Sequence, residues 1–599
     1  MRALFALALS VLTISATIID PTRRTTWQGN VGVSGGIPHR TNVTLLLDTT
    51  ATADDLIYYL NHASSNSVIQ LTNGVYYLDK GIYMGGLGGN GVTLRGNGPT
   101  NTILRFTNST YAAGLVWITS PYRYTDPPAD TNRVRIVDSG YSQGSSNITI
   151  RTDGTTGLGT AYDLKVGTTF VLDQLNDSAG AGVNNLGFDG SFVADTEQIR
   201  GNGGRAQQEY YKITAISAGT NLTFWPPIAM TNYDASFSPQ IFWWGDSCQL
   251  SGVEDLQIDG ENGVHDYGVF MQSSDSCWVK NIKTYKCKTA SVATFNVYRC
   301  EIRDSYFADS KLGGAGSYGI DIKLGSWCLI ENNIFNGIST PVLPDTCSSA
   351  CVAGYNYTTN CVYYDPSNSW MAHAIQAHYV FSHMWLFEGN YGSGINFDFI
   401  HGSGGYHTVL RNKFLGNDEG HEAYKTGDTF PVFVMGTNRV CNFVGNVLGQ
   451  AGYHLNYEWL ETGSDPANSA KTIWRIGHYG NNQTTGQGDS LTVTTILRHG
   501  NYDTVTSTNS GVVWDATIAD HTIPNSYYLS AQPSWWTGGK AWPPIGSDLS
   551  PQYTKLPAQD VFESGAFGGG GTTGGGGAAP TGGTKSGGRG QSRGRVKIK

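Results

Sequence analysis

From about residue 268 onward, apolar and polar positions alternate in short runs, and the runs return in phase. GVFMQSSDSCWVKNI from Gly268, SVATFNVYRCEIRDSYF from Ser291 and GIDIKLGSWCLIENNIF from Gly319 superpose on AHYVFSHMWLFEGNY from Ala377, FDFIHGSGGYHTVLRNKF from Phe397 and PVFVMGTNRVCNFVGNVL from Pro431. Cys277, Cys300, Cys328, Trp385, His407 and Cys441 share one column, and two places on stand Val279, Ile302, Ile330, Phe387, Val409 and Phe443. A repeat of about 22 to 34 residues built from short alternating strands is a solenoid signature. Each turn buries its apolar face only when the next turn stacks on it.

A second column selects the kind of solenoid. Five places after the aligned residue come Asn333, Asn390, Asn412 and Asn446. Asparagine tolerates a left-handed bend and bonds neighbouring backbone, so a stacked asparagine ladder at a strand corner is expected. Helical repeats would show a 3.6-residue period, and a β-sandwich would keep short strands but needs no such column. The expected fold is therefore all-β, a right-handed parallel β-helix.

The rest of the chain divides around that solenoid. Residues 1–16 read as a secretory signal peptide, with one Arg, an apolar run from Ala3 to Ile14 and small residues at Ser15 and Ala16. Residues 17–144 hold an N-terminal cap, with a short amphipathic helix over 53–62, and the first turns. A helix there shields an open β-edge. Residues 145–235 lose the repeat and read as an inserted small β-subdomain, with a polar cluster at Asp173, Gln174, Asn176 and Asp177. The main β-helix follows over 236–525, interrupted by a long loop from Gly337 to Trp370; 526–566 form a C-terminal cap. Residues 567–599 are a glycine-rich basic tail of disordered composition, able to contact an acidic wall polymer or a membrane surface.

Composition narrows the class of partner. Of 599 residues 78 are glycine and only 14% are charged, which suits a turn-rich exported β-protein. A formal net charge of −9 gives no case for a nucleic-acid partner, and no stretch reaches the ~18 apolar residues of a membrane span. Five of the nine cysteines, Cys248, Cys277, Cys300, Cys328 and Cys441, read as small core residues. Cys347, Cys351 and Cys361 lie in the long loop, where a disulfide would staple the excursion. Seven glycosylation sequons occur, at Asn42, Asn108, Asn147, Asn176, Asn221, Asn356 and Asn482.

Alternation puts every second strand residue on the outer face. Aligning Ile320, Ala377 and Phe397 brings Asp321, His378 and Asp398 to one outward position, with the two carboxylates roughly 9 to 10 Å apart and the imidazole between them. Lys323 faces the same way; His401, Arg411, Tyr363 and Trp370 border the groove as substrate-binding candidates. Inverting glycosidases hold carboxylates about 6.5 to 9.5 Å apart, so this spacing favours hydrolysis. Elimination stays open, with His378 as base, Lys323 or Arg411 against the developing charge and Ca2+ as the cofactor such a lyase could use. Solvated surface polarity without catalysis is the alternative.

The segment LRGNGPTNTIL resembles the opening turns of the pectate-lyase-like right-handed β-helix superfamily, and LFEGN at Leu386 and DFIHGSGGYHTVLRNKF at Asp398 are similar to segments of a bacterial β-helix group. The resemblance spans residues 31–562. It implies a secreted protein acting on polysaccharide. The polygalacturonase motifs are absent: His401-Gly402-Ser403-Gly404 and Asp321-Ile322-Lys323 stand in their place, and the basic signature of calcium pectate lyases is not recognisable. A polysaccharide hydrolase, a polysaccharide lyase and a non-catalytic glycan-binding or adhesin β-helix are the readings carried forward.

Overall fold

The structure is a computed structural model that describes residues 18–85, 90–107, 113–120, 133–151, 164–176, 199–200, 204–314, 316–363, 367–419, 421–461, 465–479, 488–507 and 511–568. The signal-peptide reading at 1–16 and the tail beyond 568 lie outside the described residues, as does Asp177. Among the described residues, three long sheets of 13, 12 and 11 strands wind around one core, with parallel pairing throughout. One turn comprises Tyr267–Asp275, Trp278–Lys280 and Lys283–Tyr285, one strand to each sheet; Ala290–Tyr298, Glu301–Arg303 and Tyr306–Ala308 stack on it.

Stacking equivalent positions makes the columns physical. Trp278 pairs in turn with Glu301, Leu329, Val352, Leu386, Thr408 and Asn442. The residues just before them, Cys277, Cys300, Cys328, Cys351, Trp385, His407 and Cys441, therefore form one buried column. Cys351 was not expected there. The excursion at 337–370 is not an interruption but a full turn, with strands Thr340–Pro344, Val352–Gly354 and Tyr357–Thr359. Its inward position two places on is Ala353, flanked by Gly354, so the apolar signal of a turn is weak. The disulfide expected in that segment is not formed: Cys347, Cys351 and Cys361 belong to three different apolar clusters, and all nine cysteines are buried free thiols.

The asparagine ladder is longer than the sequence spacing indicated. Starting from Asn333, the residues Asn356, Asn390, Asn412, Asn446 and Asn501 each accept from the backbone N–H or side chain of the asparagine before, at 2.9 to 3.1 Å. Asn356 is thus buried in the ladder, although it stands in a sequon. These asparagines do not take the left-handed bend. That conformation falls on the residue before each of them: Asn332, Tyr355, Gly389, Arg411, Gly445 and Gly500, with φ between 55° and 69°. The asparagine's work is hydrogen bonding, which leaves the strained corner to its neighbour.

Two elements close the molecule around the solenoid. The helix Ala53–His62, started by a Thr52–Asp55 capping box, drives Leu56 and Leu60 into the open end of the core. Between the first turns and the main stack, six antiparallel strands from Val134–Ser139 to Gln240–Trp243 close into a barrel. Asp173 lies wholly buried in it, held by a fork from Arg200 (2.8 and 2.6 Å) and by Arg205 (2.7 Å), an arrangement that anchors structure. The barrel covers the outer face of the 13-stranded sheet at Phe270, Ala293, Phe295 and Leu343. On the next two strands the outward side chains are polar instead: Gln376 and His378, then Asn396 and Asp398.

Candidate functional site

The register of the 13-stranded sheet decides which side chains meet. Ile320 pairs with Val342, Val342 with Ile375, and Ile375 with Ile395. Asp321 therefore shares an outward row with Leu343, Gln376 and Asn396, not with His378 and Asp398. The row two residues on holds Lys323 and Asp345, each just past the end of its strand, then His378 and Asp398 on the next two strands. The expected alignment slipped because the turn at Thr340–Pro344 was read as loop, and Asp345 was missed with it. Asp321 and Asp398 stand three strands apart, about 14 Å across the sheet, and Asp321 is only 5% exposed.

Within the row, His378 and Asp398 form a dyad. His378 Nδ1 lies 2.6 Å from Asp398 Oδ2, and Gln376 Nε2 donates to the same oxygen at 2.7 Å. The Ile400 N–H donates to Oδ1 at 3.0 Å. Asn438 braces the local backbone by donating to the carbonyls of Phe397 and Asp398. Asp398 has no exposed side-chain surface, whereas 15% of the His378 side chain faces solvent. A buried carboxylate bonded to Nδ1–H fixes the tautomer and places the basic lone pair on Nε2.

Aromatic rings hold the imidazole in place. His401 stacks on Tyr379 at 4.6 Å with 10° between planes, and both stand edge-on to His378 at 4.7 and 4.9 Å. Lys323 Nζ sits 5.2 Å from the centre of the Tyr379 ring and 3.9 Å from Asp345 Oδ2. Asp345 is fixed by its own turn, accepting from the Thr346 N–H and hydroxyl. The structure thus gathers Lys323, His378, Asp398 and His401 and adds Gln376, Tyr379 and Asp345. Gln376 was legible as the outward neighbour two residues before His378; Asp345 and Tyr379 needed the true register.

The other expected residues lie elsewhere. Tyr363 and Trp370 pack edge to face at 4.6 Å over Cys361, Ala372 and Ala374, just before the strand Ile375–Tyr379 that carries His378. Next to them His373 and Asp428 face each other at 3.8 Å. Burial pushes the His373 imidazole down to about 4 and the Asp428 carboxyl up to about 7, in each case favouring the uncharged form. Arg411 is on the 12-stranded sheet, where it grips Asp548 at 2.7 and 2.9 Å and the carbonyls of Ile523, Pro524 and Ile545. It clamps the C-terminal segment. Among the described residues no group of three or more His, Cys, Asp or Glu side chains is arranged to hold a metal ion.

No protein-family model matches the chain, and a search of curated proteins finds no match. Among solved structures it is similar to the tailspike protein gp49 from Pseudomonas phage LKA1, with a TM-score of 0.37 and 15% identity over 63% of this chain. The chain spans 55% of that tailspike's length. It is also similar to an alginate lyase from Paenibacillus (TM-score 0.31, 9% identity, 77% of this chain and 100% of that one). The PL6 family alginate lyase AlyGC gives a TM-score of 0.31 at 13% identity, over 76% of this chain and 51% of that one. With three parallel sheets wound turn upon turn, the chain has a parallel β-helix fold.

Proposed function

We propose that this is an exported β-helix enzyme that cleaves an acidic polysaccharide by β-elimination, with His378 as the base. The observation that carries the reading is the dyad: the wholly buried Asp398 is bonded to the solvent-facing His378 at 2.6 Å. A carboxylate so enclosed positions a base and does not itself reach a glycosidic oxygen. In this reading His378 Nε2 takes the proton α to the uronate carboxylate, the bond to the leaving sugar oxygen breaks as that oxygen takes a proton from water, and a carbon–carbon double bond forms in the new non-reducing end. Lys323 stands beside the row to oppose the charge that develops on the carboxylate. The two-carboxylate hydrolase geometry is disfavoured by the spacing of Asp321 from Asp398, which exceeds by several ångströms the about 6.5 to 9.5 Å of inverting enzymes.

The test is incubation with a panel of acidic and neutral polysaccharides, following both reducing ends and the ultraviolet absorbance of an unsaturated uronate. Wild type is expected to yield absorbing products from an acidic polymer. Asp398→Asn and His378→Ala should each lose at least ~10²-fold in turnover, while Asp321→Asn stays near wild type. Reducing ends without absorbance would mean hydrolysis and overturn the elimination reading. Binding without cleavage would make the chain a glycan-binding protein.

A further inference from the structure

The outer face changes character on the far side of the dyad. Strand Ile395–His401 is followed in the sheet by Val432–Val434 and then Thr472–Ile476. From their ends, Phe399, Ile400 and Tyr479 come together beside Asp398. Phe399 and Tyr479 are half-buried, with ring centres 5.2 Å apart at 58°, and Ile400 is 55% exposed. Beneath them lies a rigid base: Phe399 packs on Phe430, Phe433, Met435 and Trp459, and the Arg475 guanidinium is stacked 4.6 Å from Phe433 and 4.3 Å from Trp459. Tyr479 rests on Gly436, where a Cβ would come within 2.5 Å of its ring.

We infer that Phe399, Ile400 and Tyr479 form a stacking subsite for a pyranose ring of the substrate, next to the ring that reacts at His378. The inference rests on the reading of the His378 row given above and adds to it a polarity. On the side of Lys323 and Asp345 the groove is charged; on the side of Phe399 it is apolar and aromatic. Strands follow one another at about 4.8 Å, a spacing close to the advance of one pyranose in an extended chain. A polysaccharide lying along the solenoid axis therefore meets the aromatic pair one to two sugars from the dyad. Axial C–H faces of a pyranose suit such rings, which bind at low entropic cost because they are already braced. Three side chains fall far short of the ~800 Å² per partner that a stable protein interface needs, and Ile400 also donates its backbone N–H to the catalytic carboxylate, so the patch is continuous with the site.

The experiment compares steady-state kinetics of Phe399→Ala, Tyr479→Ala and Gly436→Ala on the acidic polymer that the panel identifies, with Tyr58→Ala, a remote exposed aromatic, as control. Phe399→Ala and Tyr479→Ala should raise KM roughly two- to tenfold with kcat nearly unchanged, the loss expected for one aromatic contact. Gly436 does not lie in the left-handed region, and a Cβ there would meet the Tyr479 ring at 2.5 Å and the Gly477 carbonyl at 3.0 Å, so alanine displaces the ring; Gly436→Ala should match Tyr479→Ala, and the two together should be no worse than either. An active wild type whose alanine variants keep KM, or lose kcat instead, overturns the subsite and leaves the His378 reading intact. A wild type that neither cleaves nor binds any polysaccharide of the panel sinks both.

Discussion

Replacing Asn390 by alanine removes four hydrogen bonds at once from the asparagine ladder. Its Oδ1 accepts from the Asn356 N–H (3.1 Å) and from Asn356 Nδ2 (2.9 Å), and its Nδ2 donates to the Ala353 carbonyl and to Asn412 Oδ1, both at 2.9 Å. The partners do not suffer equally. Asn356 Nδ2 keeps the Ile330 carbonyl, and Asn412 Oδ1 keeps the Asn390 N–H. The Asn356 N–H is left without an acceptor in a buried corner, at a cost of about 1–3 kcal/mol. Adding about 1 kcal/mol for each of the three further bonds lost gives a destabilisation of about 4–6 kcal/mol. Asn390→Asp separates the bonding from the shape. It keeps the acceptor for Asn356 but turns an oxygen toward Ala353 and Asn412, so its carboxyl will hold its proton in the folded state.

A folded-state pKa raised above the unfolded value makes stability fall as pH rises from the unfolded value to the folded one. Equilibrium denaturation of wild type, Asn390→Ala and Asn390→Asp between about pH 3 and 8 (about one unit either side of the ~3.9 to 7 range in which such a carboxyl titrates) reads both effects. The alanine variant should be weakened at every pH, and the aspartate variant progressively more as pH rises. A variant Asn390→Asp with the pH profile of wild type, or Asn390→Ala losing less than about 1 kcal/mol, would refute the ladder as a stabilising element.

Two other measurements probe the fold around the site. Burial pushes the carboxyls of Glu331 and Glu388 up to about 7, under a C-terminal segment whose Tyr528 hydroxyl and Tyr527 N–H donate to them at 2.7 and 2.9 Å. Their contribution to stability is full below about 4.5 and is lost as pH rises toward 7, so Glu388→Gln should flatten the pH dependence of the melting temperature across that window. Cys277, Cys300, Cys328 and Cys351 are wholly buried, and burial raises the first three thiols well above their ordinary range. A thiol reagent should label none of the four at neutral pH until denaturant unfolds the chain, and rapid native labelling would break the column.

The sequence alone determined the solenoid, its cysteine and asparagine columns and the outward placement of His378 and Asp398. The physical reason is that a β-helix makes its main contacts between equivalent positions of successive turns, so packing is written as periodicity. Where a turn packs with small residues the writing fades. Ala353 and Gly354 hid the turn at 340–359, and with it the row that brings Lys323 and Asp345 beside His378 and leaves Asp321 with Gln376. Arg411 shows the other limit. Nothing near it in the chain distinguishes a groove cation from a clamp, because the carboxylate that claims it, Asp548, comes 137 residues later on a segment outside the repeat. Only the folded chain decides such pairings, since they join surfaces that no period relates.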